Sequence, residues 1–163
     1  MEYNKLNINS KKAWFIARAI PTIIISAILI GGDYYLTKKG DFFNDTSSLL
    51  ANIAIGVIIF LMLLNTIVYP SLEYKQWRYI ITKDKIEFSE GIYWISTVVI
   101  PIVRVQHIKI NQGPINRKFN LANLHIYTAG GSYRIPNIEM KKAEEISDFL
   151  KDKVKEKVTE NDR

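Results

Sequence analysis

Two long apolar runs, followed by an abrupt change of period, divide this chain. The run from Ser48 to Tyr69, SLLANIAIGVIIFLMLLNTIVY, holds no charged residue, and only Asn52, Asn65 and Thr66 break its apolar surface. As a helix it would cover roughly 30 Å, the thickness of a bilayer's hydrocarbon core. A buried helix of a soluble protein is usually shorter and keeps a polar stripe, so the pattern predicts a membrane helix over about 48–69. A second apolar stretch, Ala13 to Tyr35, follows a polar tail carrying Lys5, Lys11 and Lys12. A cleavable signal peptide starts the same way. This stretch is long, however, contains Arg18 and lacks a small-x-small site before Gly31-Gly32, which favours a retained helix over about 13–36.

Interface residues fit two spans. Trp14 and the pair Tyr34, Tyr35 stand about one membrane thickness apart, as do Leu49 and Tyr69. Arg18, roughly a turn beyond Trp14, can lay its stem along the helix and return its guanidinium to the head groups, as an anchor. Pro21 either kinks this helix or begins its regular part. Thr37–Ser47 reads as a short polar outer loop. The basic excess of the first tail and of the segment after Tyr69 places both termini in the cytoplasm by the positive-inside tendency. Asn52 and Asn65 are candidate intramembrane contacts, able to hydrogen-bond across the helix pair or to a partner helix.

Pro70 is expected to end the second helix. From Tyr74 the period becomes two. Trp77, Tyr79 and Ile81 alternate with Gln76, Arg78 and Ile80, and after a turn at Lys83-Asp84, Ile86 and Phe88 alternate with Glu87 and Ser89, predicting a hairpin. Ile92–Ile100 is the next strand, and Pro101 suits a strand start, edge or bulge. In Val103–Asn111 the apolar parity shifts between Val103, Val105 and Ile108, Ile110, which predicts a β-bulge near Gln106-His107. Gln112-Gly113-Pro114 forces a turn. Leu121–Thr128, with Leu124 and Ile126 on one face, a turn at Gly130-Gly131, and Tyr133 with Ile135 before Pro136 complete the strands. From Met140 to Val158 the period is helical, with Ala143, Ile146, Phe149, Leu150 and Val154 on one stripe that can cap a sheet.

Several strands closed by one helix in about eighty-five residues suggest a small β-sandwich or partly open barrel. The ordered motifs Val99-Ile-Pro-Ile-Val-Arg-Val-Gln-His-Ile, Gln112-Gly-Pro-Ile-Asn-Arg-Lys-Phe, Leu121-Ala-Asn-Leu and Thr128-Ala-Gly-Gly resemble the bacterial pleckstrin-homology-like (PH-like) membrane protein family, in its subgroup with two transmembrane helices before one domain. The resemblance implies seven strands in two near-orthogonal sheets with a capping helix. It also implies a non-enzymatic membrane component working beside a related membrane protein or self-associating. Where the family pattern has glycine after Phe119 and after Pro136, this chain has Asn120 and Asn137, and asparagine tolerates positive φ better than most residues. The expected organisation is thus a membrane hairpin over 1–72, a cytoplasmic PH-like domain over 73–158 and a disordered tail over 159–163.

Composition narrows the chemistry. With no cysteine among 163 residues, disulfides, thiolate zinc sites and cysteine nucleophiles are excluded. The net charge is +6 and the basic residues are dispersed, which suits anionic lipid head groups and not nucleic acid. His107 and His125 fall in no metal-ligand spacing, and Ser89, Ser96 and Ser132 in no nucleophile motif, so neither catalysis nor a cofactor is expected. The first hairpin turn offers only Lys83 and Lys85 around Asp84, too little for a specific phosphoinositide site. A looser lipid or partner surface would draw on Arg78, Lys83, Lys85, Arg104, Arg117 and Lys118, set against the plainer reading of a solvated charged face. The functional expectation is a tether that assembles a protein complex at the membrane through a strand edge or an outer sheet face, with anionic-lipid sensing as the alternative.

Overall fold

The computed structural model describes residues 3–39 and 45–161, with side chains described over 3–38 and 46–156. It resolves into two compact units, Trp14–Ser71 and a second made of Met1–Ala13 with Leu72–Arg163.

The first unit is helical. Helices α1 (Ser10–Lys39) and α2 (Asp45–Gln76) supply it, and each is long and apolar enough to cross a membrane. Almost none of their side chains is buried within the protein, as expected of surfaces meant for lipid. Both helices exceed the expected bounds and take in most of the predicted outer loop, whose residues 40–44 lie outside the described residues. Pro70 does not end α2. Proline removes only one ladder hydrogen bond and its φ is already helical, so the helix resumes to Gln76, and the Trp77 N–H still donates to the Glu73 carbonyl at 3.1 Å. Pro21 likewise lies inside α1. The hydrogen bond between the helices belongs to Thr22 and Thr66, whose hydroxyls stand 2.9 Å apart. Asn52 and Asn65 are exposed and take no part in that bond. The Arg18 guanidinium lies 5.8 Å from the Tyr69 ring centroid, a cation–π arrangement at one end of the apolar run.

The second unit holds the strands. The first sheet has the order β1 (Asn4–Lys5), β2 (Arg78–Ile81), β3 (Lys85–Glu90) and β4 (Ser96–Pro101), all antiparallel. A 3-10 turn over Ile102–Arg104 leads into the second sheet, β5 (Val105–Asn111), β6 (Leu121–Thr128) and β7 (Gly131–Glu139). A short helix, α3 (Pro114–Lys118), joins β5 to β6 with proline at its start, where the missing N–H costs nothing. The terminal helix α4 runs over Met140–Asn161. Among the described residues the seven strands in two sheets match the expectation, but the first of them comes from the N-terminal tail.

That tail is stitched into the unit. Leu6 and Ala13 are buried, the Ser10 hydroxyl donates to the Asn137 carbonyl at 3.1 Å, and Tyr3 O–H donates to Glu87 at 2.5 Å. Lys142 reaches Asn4 Oδ1 at 3.1 Å. The strand domain therefore begins at the N-terminus, and a fragment starting near residue 74 would lack an edge strand and part of the core. Leu6→Ala is expected to destabilise the unit by about 2–5 kcal/mol, read by hydrogen exchange in the full chain; an effect near zero would show the tail to be merely draped on the surface.

The core lies between the inner sheet faces. Tyr79, Ile86 and Phe88 from the first sheet meet Leu124, Ile126 and Ile135 from the second, and Ala143, Ile146 and Leu150 of α4 close the end. Burial pushes the Tyr79 hydroxyl up to about 12. Phe149, expected on the buried stripe of α4, is partly exposed because it lies at the stripe's margin. The predicted bulge is present in β5 between Val105 and His107. A second falls opposite Ala122 and Leu124, where β7 carries one extra residue. This bulge lets β7 run on through Pro136, on an edge strand where proline's missing donor is tolerated. Asn137 takes φ 51° there and Asn120 takes φ 54°, the two positions where asparagine replaces the family's glycine.

Candidate functional site

The six basic residues singled out from sequence do not form one surface. Lys83, Lys85 and Arg104 share the turn end of the first hairpin, since Lys85 pairs with Pro101 and the Ile102 N–H donates to the Asp84 carbonyl at 2.9 Å. Lys85 is already engaged, 2.7 Å from Glu87. The hydrogen bond from Lys85, and then that from Tyr3, holds the Glu87 carboxyl below the ordinary range. Arg78 stands at the opposite end of β2, its guanidinium 6.0 Å from the Tyr3 ring. Arg117 and Lys118 lie on α3, beyond the far end of β5 from Arg104, roughly 20 Å of strand away.

A different set is brought together on the solvent face of the second sheet. Because the apolar residues of β6 and β7 turn inward, the intervening positions turn out. Lys109 on β5 faces His125 on β6, which faces Arg134 on β7, three basic residues abreast at about 5 Å intervals. In the next row His107 faces Tyr127, their rings stacked with centroids 4.2 Å apart and planes 12° from parallel. His125 also stacks on Tyr127 at 6.4 Å. Among the described residues neither Lys109 nor Arg134 is paired with a carboxylate.

Like charges set directly across strands repel. Partial burial, then the Arg134 charge, then that of Lys109 hold the His125 imidazole below its ordinary value. A depressed folded pKa means that stability is fully present above the unfolded value and is lost as pH falls through the folded one. Acidification below the histidine range should therefore loosen this sheet, and His125→Gln should remove that part of the pH dependence. Hydrogen exchange in β6 and β7 across the range is the readout; identical profiles for both proteins would contradict it. An anion on the row would act the other way, raising the His125 pKa by compensating the two cations.

This arrangement can hold an anionic group between a lysine and an arginine with flat rings beside it. Among the described residues no three histidine or acidic side chains cluster to hold a metal ion.

A second feature is the connection between β3 and β4. Expected as part of a strand from Ile92, it is instead an exposed turn carrying Tyr93, Trp94 and Ile95.

The model of the family described as bacterial PH domain matches residues 15–154, and so covers most of α1, all of α2, β2 to β7 and most of α4. The UPF0699 transmembrane protein YdbS of Bacillus subtilis (strain 168) is 37% identical over 99 residues, 58% of this chain and 62% of that relative. The alignment thus spans less than two thirds of the relative's length. No solved structure matches. With two apolar helices leading into two small sheets and a terminal helix, the chain is a membrane-associated protein belonging to the bacterial PH domain family.

Proposed function

We propose that this protein is a non-enzymatic membrane tether that assembles a protein complex at the cytoplasmic surface, docking an acidic segment of a partner across the outer face of the second sheet. Its helices cross the bilayer as a hairpin, with both chain ends in the cytoplasm, following the basic excess that flanks the apolar runs. The Lys109–His125–Arg134 row carries the reading, since it places uncompensated positive charge on a flat, aromatic-lined face. Confinement to a plane raises local concentration, so a modest contact can assemble a complex. The partner is a second membrane protein of this family or another copy of the chain.

Purification at native expression in mild detergent should recover a stoichiometric partner, and reversing both Lys109 and Arg134 to Glu should release it. Recovery of monomer alone from the wild type counts against tethering.

Anionic-lipid sensing is the second reading, favoured by the same row because each cation near an anionic leaflet is worth about 1 kcal/mol. It predicts that His125 titrates higher in nanodiscs with anionic lipid than in neutral ones, and that added salt erases the difference. Equal titration in both lipids removes it.

A further inference from the structure

The turn between β3 and β4 is apolar where a soluble protein's hairpin turn would be polar. Trp94 is 87% exposed, Tyr93 73% and Ile95 61%, three consecutive side chains directed outward. The backbone beneath them is tightly set. Gly91 takes φ +113°, and the Trp94 carbonyl oxygen folds back to within 1.9 Å of where a Cβ on Gly91 would stand. The Gln76 amide nitrogen donates to the Ile92 carbonyl at 2.9 Å, tying the turn to the last residue of α2. These contacts hold the turn's backbone while its large side chains stay exposed.

We propose that Tyr93, Trp94 and Ile95 form a membrane-contacting element that seats its rings in the head-group boundary of the bilayer. Three observations favour lipid as the occupant. Tryptophan and tyrosine, with an apolar body and one polar atom, are the residues enriched at that boundary, and an aliphatic neighbour can pass deeper. The turn's anchor, Gln76, stands seven residues beyond Tyr69, the end of the apolar run. Seven residues reach at most about 25 Å even fully extended, so chain length alone keeps the turn near where the span ends. Finally, three side chains offer roughly 400 Å², well under the ~800 Å² per partner of a stable protein interface. Lipid contact needs no such area, because the helices already supply the attachment. The element then fixes how the strand unit is turned toward the surface, which is separate from what the Lys109–His125–Arg134 row binds.

The absence of cysteine makes the test direct. A spin label on Trp94→Cys in the full chain in nanodiscs is compared with one on Glu144→Cys, an exposed position of α4, for collision with oxygen and with a water-soluble nickel chelate. At 94, oxygen access should be several-fold higher and nickel access several-fold lower than at 144. In amphipol without a bilayer, the two sites should become alike. In unlabelled protein, brominated acyl chains should quench a tryptophan component that Trp94→Phe lacks. Equal nickel access at both sites in nanodiscs overturns the proposal, as does equal quenching of wild type and Trp94→Phe. Shielding at 94 that persists in amphipol also overturns it, since a second copy would then be the occupant.

Discussion

Phe88→Ala will destabilise the strand unit by about 3–5 kcal/mol, the range for deleting a buried aromatic side chain, and should leave it largely unfolded at physiological temperature. Phe88 is 1% exposed. Trp77 stacks on it at 5.7 Å with planes 11° apart, and Tyr133 meets it edge-on at 6.3 Å, so one ring links the entry to the first sheet with the inner face of the second. Its removal leaves a cavity bordered by the stiff rings of Trp77, just before β2, and Tyr133 on β7, which cannot readily collapse. Near-ultraviolet dichroism and hydrogen exchange on the full chain in nanodiscs give the readout. Native-like protection in β2, β3 and β7 would show that the two sheets are not held by this contact.

Gly91→Ala should cost on the order of 3 kcal/mol, combining backbone strain at φ +113° with the overlap of its Cβ on the Trp94 carbonyl. The atom in the way is backbone, so no side-chain rotation relieves it, and the turn must rebuild. The loss should concentrate in β3 and β4, with α4 protected as before. It should also release the Gln76 contact to Ile92, and a Gly91→Ala protein with unchanged exchange in β4 would contradict this reading.

Much of this architecture is legible in the sequence, for specific physical reasons. A charge-free run of membrane length has few other uses. The parity shift between Val105 and Ile108 betrays a bulge because side chains in a strand alternate strictly. Asn120 and Asn137 stand where the resemblance implied glycine, and both take the positive φ that asparagine tolerates better than most residues. Features that depend on tertiary context stayed hidden. A two-residue strand at Asn4–Lys5 has no period to detect, and nothing local in the tail signals that β2 will receive it. Pro70 reads as a stop, yet in a long apolar helix the loss of one hydrogen bond is outweighed by continuation.

The candidate site was not legible in the sequence. The turn expected at Gly130-Gly131 falls one residue earlier, at Ala129-Gly130, and it is this register that sets His125 against Arg134. Bringing Lys109 abreast of them requires the register across α3, which no local rule supplies. The sequence reading drew on six dispersed basic residues, Arg117 and Lys118 among them, whereas the fold brings together residues one strand apart.

The proposed docking of a protein partner on the outer face of the second sheet can be tested directly. A photo-crosslinking residue at exposed Ser132, which pairs with Tyr127 beside the row, tests it in living cells. The account predicts one protein adduct of defined mass from position 132, none from position 144, and its disappearance when Lys109 and Arg134 are both reversed to Glu. Adducts to lipid alone, or a protein adduct indifferent to that reversal, would contradict it.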